Sequence, residues 1–397
     1  MAISLRCLWP CISKPACYRP KAFYRKNTVV VATQDLQEET RIKTISSLSK
    51  VEEERAEQLY EKAIVINTMD STALPQFDSK YCEKLADAGI TALNTTVNVN
   101  VAFRPHEGLP EVMRQFYIWY DKLRENSDKI VQINSAEDIR KAKKDGKTGI
   151  IFGFQNPKPI DGDPDLIKIF HRLGLKICGL VYTRRNAFAD GCGEKTDVGL
   201  SRIGEMFVAE MNKLHILIEM SHCQTRASLE TIALSKDPVA FTHSNSKGVY
   251  DMPRNLTDEQ IKACAEKGGV IGVNAFSNQL HPKAEMEGAT IEHCLDHIEY
   301  DVRLVGANHV GIGTDSAEGR TIEDAMALSV AYPELRTSTM KLDQAMLAKR
   351  YALKDILDFK NYSRGLVARG YSDQEILKIL GGNWLSLFEK IWRGPSY

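Results

Sequence analysis

Eight times between Ala63 and Asp315 the chain repeats one pattern: a short apolar run ends on or just before a polar residue and gives way to a further polar or helical stretch. The runs are AIVIN, TALNTTVN, TGIIFGF, KICGLVYT, ILIEMSH, PVAFTH, GVIGVNAF and HVGIGTD. Short apolar runs without polar alternation are how strands buried on both faces read. Strands that alternate with helices predict parallel β/α architecture. Eight such units favour a closed barrel over an open sheet, so the expected fold is α/β, a (β/α)8 TIM barrel. Helices are predicted near residues 79–88, 111–125, 166–173, 202–214, 227–234, 258–267 and 291–305. From about Ser316 the chain reads as additional C-terminal helices, with Ser372 as an N-cap and Gly381–Gly382 as a break.

In such a barrel the polar residues at the strand ends gather at one mouth. They are Asn67 to Ser71, Gln155, Tyr182 with Arg184 and Arg185, His222, His243 and Asp315, joined by Arg254 and Asn255 on the segment after the sixth strand. A set drawn from six strands is the pattern of an active site.

Residues 1–45 differ from the rest. Arg6, Lys14, Arg19, Lys21, Arg25 and Lys26 all precede the first acid, Asp35, and no secretory-type apolar core is present. A basic, acid-free leader predicts a transit peptide and a mitochondrial or plastid location, with a disordered N-terminus of a cytoplasmic protein as the plainer reading. Residues 46–62 read as a charged linker helix, and 63–397 as the barrel domain.

Lys and Arg together number 52, as do Asp and Glu. A formal charge of zero gives no basic field for nucleic acid or an anionic membrane. No apolar run reaches the length of a membrane span, and no hydrophobic tail of GPI type follows IWRGPSY. Cys7, Cys11 and Cys17 lie in the leader; the other six cysteines have no CxxC spacing, which predicts reduced core residues.

SHCQTRASLE, FTHSNSKGVYDMPRNLTDE, GGVIGVNAF, HVGIGTD and GYSDQEILKILGGNWLSLF resemble the renal (membrane) dipeptidase family of metallopeptidases, over roughly Ala63 to Trp392. The resemblance implies a β/α barrel with a two-zinc site that hydrolyses dipeptides, and a homodimer. It implies zinc binding by His222 and His243, recognition of the substrate carboxylate by Arg254, and an active-site role for Asp315. The departures are specific. The family's His-x-Asp after the first strand is NTMDS here, with Met69 and Ser71 in those places. Its metal-bridging glutamate is Gln155, and a substrate-contacting histidine is Tyr182. GFQN with RRN is similar to a bacterial branch that departs in the same manner, which implies a divergent subgroup.

A two-metal hydrolytic site needs a bridging anion and anionic ligands. Gln155 is neutral, Met69 is a soft thioether poorly matched to zinc beside imidazole, and Ser71 is a weak ligand. The expectation is therefore one zinc on His222 and His243, with a metal-free site as its alternative. Asp315 would be the base, with Tyr182 as a catalytic donor. Arg254, Asn255, Arg184 and Gln155 would bind a small substrate with a free carboxylate. The expected function is hydrolysis of a dipeptide or small amino-acid-derived amide. The alternatives are a metal-free enzyme doing proton transfer, elimination or condensation on such a substrate, and a non-catalytic binding protein. The i, i+4 pair His293 and His297 lacks the HExxH glutamate, lies in a predicted outer helix and is read as structural.

Overall fold

Strands and helices alternate through the body of the chain, in a computed structural model that describes residues 43–72, 74–98, 108–160, 162–283, 287–319, 321–331 and 348–393. The leader up to residue 42 lies outside the described residues. Nine strands form one parallel sheet: β1 Ile66–Asp70, β2 Ala92–Thr96, β3 Ile130–Gln132, β4 Thr148–Phe154, β5 Leu175–Gly179, β6 Leu217–Glu219, β7 Ala240–Phe241, β8 Val270–Val273 and β9 Val310–Ile312. All but β3 pair in the order β1-β2-β4-β5-β6-β7-β8-β9. The ring closes just beyond the strands. Asp315 N–H donates to the Met69 carbonyl at 3.0 Å and Ser71 N–H to the Ser316 carbonyl at 2.8 Å. The result is a nearly closed (β/α)8 barrel.

The expected strands are all present, with boundaries moved for physical reasons. The first was expected to end at Asn67; it continues to Asp70, with a register irregularity after Asn67, because its last residues pair with the segment that follows β9. The sixth shrinks to Ala240–Phe241. Its next two amides leave the ladder: Thr242 N–H donates to the Glu219 carboxylate and His243 N–H to the Ser221 hydroxyl. Sequence reading missed β3, where only Ile130 is buried, and the helix Ala136–Lys144, although Ser135 and Asp138 form its capping box. The linker contains the helix Lys50–Lys62, and Ser372 caps Asp373–Leu377 as expected.

Alternation along the strands sorts side chains into two cores. Outward residues such as Leu93, Phe152, Ile218 and Phe241 pack under the helices. Inward Ile66, Ala92, Ile151, Ile177, Leu217, Ala240 and Val270 meet Trp384, Leu387 and Phe388. The C-terminal helix Asn383–Ile391 thus plugs the barrel at its N-terminal end. Gly381 lets that helix approach, since a Cβ there would collide with the Ile64 carbonyl. The opposite end is left for polar groups. The six cysteines outside the leader are buried and form no disulfide among the described residues, and burial pushes the Cys82 thiol up to about 11 and that of Cys264 to about 12.

Candidate active site

Two residues on from an inward residue, a strand points inward again. By that count Glu219 follows Leu217 into the barrel, and Gln155 follows Ile151 by way of Gly153. Glycine at 179 makes room here, because a Cβ on Gly179 would collide with the Gln155 carbonyl. Above this level the chain leaves the ladder, and the loops after β6 and β7 turn His222 and His243 over the rim.

Both imidazoles are buried, and their Nε2 atoms lie 3.2 Å apart. His222 stacks on Tyr182 with ring centroids 4.0 Å apart, and its Nδ1 has no partner. His243 Nδ1 is 2.9 Å from the Thr242 hydroxyl. The Gln155 amide nitrogen is 3.4 Å from His243 Nε2 and donates to Met69 Sδ at 3.2 Å. Arg254 is buried; Nη1 donates to Ser244 Oγ at 2.7 Å and Nη2 to the His243 carbonyl at 2.9 Å, while Nε is unpartnered. No carboxylate lies within salt-bridge distance of this guanidinium among the described residues. Burial first, and the Arg254 charge second, push both imidazoles well below the usual histidine range, so they are neutral near pH 7.

The other expected site residues divide. Asp315 sits at the mouth with a left-handed backbone, φ 53°, and accepts a 2.8 Å hydrogen bond from Ser71 Oγ. Asn255 is buried, but its amide is spent on the Tyr250 and Gln279 carbonyls, both at 2.9 Å. Arg184 is exposed, and Arg185 is paired with the buried Asp190. Asp70 faces away, accepting from Tyr81 Oη at 2.7 Å and from Thr72 N–H at 2.8 Å. His293 stacks on His281, and His297 lies between the Ser246 amide and the Leu280 carbonyl. Sequence reading missed Glu219 and Thr242, which lie beneath the histidines. An acid inside the apolar run ILIEM was the available signal.

The donor set can be tested against a metal. Two nitrogens held at about 2.0–2.1 Å by one tetrahedral zinc stand roughly 3.3 Å apart, close to the spacing of these Nε2 atoms. His222 and His243 therefore fit as two ligands of one ion, with the neutral Gln155 amide beside them. No group of three His, Cys, Asp or Glu side chains able to hold a metal occurs among the described residues.

The model of a family described as membrane dipeptidase (peptidase family M19) matches residues 40–342. Dipeptidase verJ of Clonostachys rogersoniana is 25% identical over 288 residues, 72% of this chain and 66% of its own. Dipeptidase tcpJ of Claviceps purpurea is 23% identical, over 72% and 61%. The chain spans just under two thirds of these curated relatives. Among solved structures, an amidohydrolase from Pseudomonas aeruginosa is 30% identical, covering 85% of this chain and 99% of its own, with a TM-score of 0.76. The probable dipeptidase PvdM of the same organism shares the fold, with a TM-score of 0.72 at 21% identity over 87% and 99%.

Proposed function

Because the chain belongs to the membrane dipeptidase family, peptidase family M19, we propose that it hydrolyses a dipeptide or a small amino-acid-derived amide with a free carboxylate, using one zinc ion. The observation that carries this reading is the meeting of two buried, neutral imidazoles, Nε2 to Nε2, beside a buried guanidinium with no acid in contact.

Each residue then has a role set by its chemistry. Arg254 binds the substrate carboxylate through its guanidinium, since a buried cation without an acid partner favours an incoming anion. His222 and His243 would hold the zinc ion, which when bound polarises the scissile carbonyl and makes water acidic. Asp315 accepts the proton from water and passes it to the leaving amine, with Ser71 Oγ holding its carboxylate at 2.8 Å. Tyr182 closes one wall of the site and fixes the ring plane of His222 by stacking. Gln155 orients the substrate by an amide hydrogen bond. Arg184, exposed on the segment after β5, would contact a second anionic group on the substrate, and Asn255 shapes the Arg254 loop.

The test is zinc content by elemental mass spectrometry on protein purified without added metal or chelator, alongside a dipeptide screen. One equivalent, absent in His222→Ala and His243→Ala, with hydrolysis lost on chelation, supports the proposal. No zinc even after supply would sink it.

One observation favours a second reading. The 3.2 Å separation also suits a direct hydrogen bond between the imidazoles, and no third His, Cys, Asp or Glu is near enough to complete a three-ligand site among the described residues. In that case the same pocket does metal-free proton transfer, elimination or condensation, and its activity survives chelation.

A further inference from the structure

One buried acid is left over from this reading. Glu219 ends β6, is 2% exposed and points into the barrel below the histidines. Among the described residues no lysine or arginine pairs with it, and His243 Nδ1 lies 4.0 Å from Oε1. The same Oε1 accepts from Ser221 N–H at 2.6 Å and from Thr242 N–H at 3.1 Å. Burial alone would favour the neutral acid. Burial is the larger influence and raises the Glu219 carboxyl above the usual range, while the Ser221 and Thr242 amides and the Arg254 charge act against it and favour the carboxylate.

We infer that Glu219 is a positioning residue for His243, whose proton it holds on Nδ1 so that the Nε2 lone pair faces His222 and Gln155. Two features of the geometry lead there. A negative charge near Nδ1 stabilises a proton on that nitrogen, and the Thr242 hydroxyl at 2.9 Å is in place to accept it. The carboxylate also fixes that hydroxyl, because it holds the Thr242 amide. The second feature is the histidine pair. With Nδ1–H on His243, its Nε2 accepts from His222 Nε2–H and only an acceptor, His222 Nδ1, is left without a partner. The opposite tautomer would leave a buried N–H orphaned, which is the rarer and costlier defect. Carboxylates behind metal-binding histidines act in this manner, and losing one weakens metal binding by about 10–100-fold.

The inference rests on the proposed role of His243 as an Nε2 ligand, but its test does not need a metal. Full-length protein labelled with 15N-histidine is compared as wild type and as Glu219→Gln, with the His243 signals identified by their absence in His243→Gln. Glutamine keeps an oxygen for the two backbone amides and removes only the charge. The expected result is Nδ1–H on His243 in the wild type and a shift towards Nε2–H in Glu219→Gln, with a zinc affinity about 10–100-fold weaker by chelator competition. Nε2–H in the wild type, which is read even if the variant fails to fold, would overturn the inference. So would an unchanged tautomer in a folded Glu219→Gln. If neither protein binds zinc, the hydrolase reading fails while the tautomer result still decides the role of Glu219.

Discussion

Across the barrel mouth, the rim after β6 and β7 and the rim after β1 and β4 solve the same problem differently. The first keeps two imidazoles, a guanidinium and a buried acid, each oriented by a neighbour: Tyr182 under His222, Thr242 beside His243, Ser244 on Arg254. The second carries mostly neutral groups that bond within the rim, Gln155 to Met69 and Ser71 to the Asp315 carboxylate. The difference shows that the second rim satisfies its polar groups within the protein. Its polar atoms are partnered as a metal-free surface requires, since buried polar groups without partners are costly. On the proposed single-zinc reading this matters, because Gln155 brings no charge to offset a second dication.

The strongest way to break this contrast is to restore the charges. In Met69→His/Ser71→Asp/Gln155→Glu, zinc content is expected to rise from one equivalent to two, read by elemental analysis after dialysis. A value that stays at one would mean the second rim is closed by backbone geometry and not by donor chemistry.

Next in size is stability against pH, because each rim rests on a buried acid. Burial raises the Asp70 carboxyl to about 6, and that of Asp301, which accepts from Ser246 Oγ beneath the Arg254 loop, to about 7. Both lie above the unfolded value near 3.8, so the folded state binds the proton more tightly. Their contribution is full below about pH 4 and is lost as pH rises, through about 6 for Asp70 and about 7 for Asp301. The losses are on the order of 3 and 4 kcal/mol respectively, taking about 1.4 kcal/mol per unit. Urea unfolding from pH 4 to 8 should show a flatter profile in Asp70→Asn and in Asp301→Asn, with the Asp301→Asn difference extending further towards neutrality. Profiles identical to wild type would show that these acids are already ionised in the fold.

Arg254→Leu should cost about 2–3 kcal/mol in kcat/KM, roughly 30–150-fold, carried mainly by KM, as charge-assisted bonds to a substrate carboxylate are removed. A substrate with an amidated C-terminus should be almost indifferent to the change. Equal losses for both substrates would assign Arg254 to the support of His243 and Ser244 alone.

Much of the first rim was legible because its signals are local. ILIEMSH and PVAFTH each carry the histidine two or three residues beyond a strand, and Arg254 follows shortly after. The barrel was legible for the same reason, from eight repeats of one pattern. The second rim hid its arrangement in pairs far apart in sequence: nothing in NTMDS says that Asp70 turns outward to Tyr81 while Met69 turns to Gln155. Glu219 was passed over because a single acid in an apolar run carries no sign of what it will face. β3 was missed because a three-residue strand with one buried side chain has no period to detect.

The smallest effect is the most specific to the second rim. Ser71→Ala removes one hydrogen bond to the Asp315 carboxylate, worth about 1 kcal/mol where other contacts remain, or about fivefold in kcat/KM. Ser71→Thr keeps the hydroxyl and should restore the rate. If Ser71 holds Asp315 as a metal would have, the loss should fall on kcat with KM unchanged, because the carboxylate acts on the proton and not on binding. Steady-state kinetics on the three proteins separates the outcomes. A loss confined to KM would place Ser71 in substrate recognition, and Asp315 would then be held by its left-handed backbone and its Met69 contact rather than by the hydroxyl.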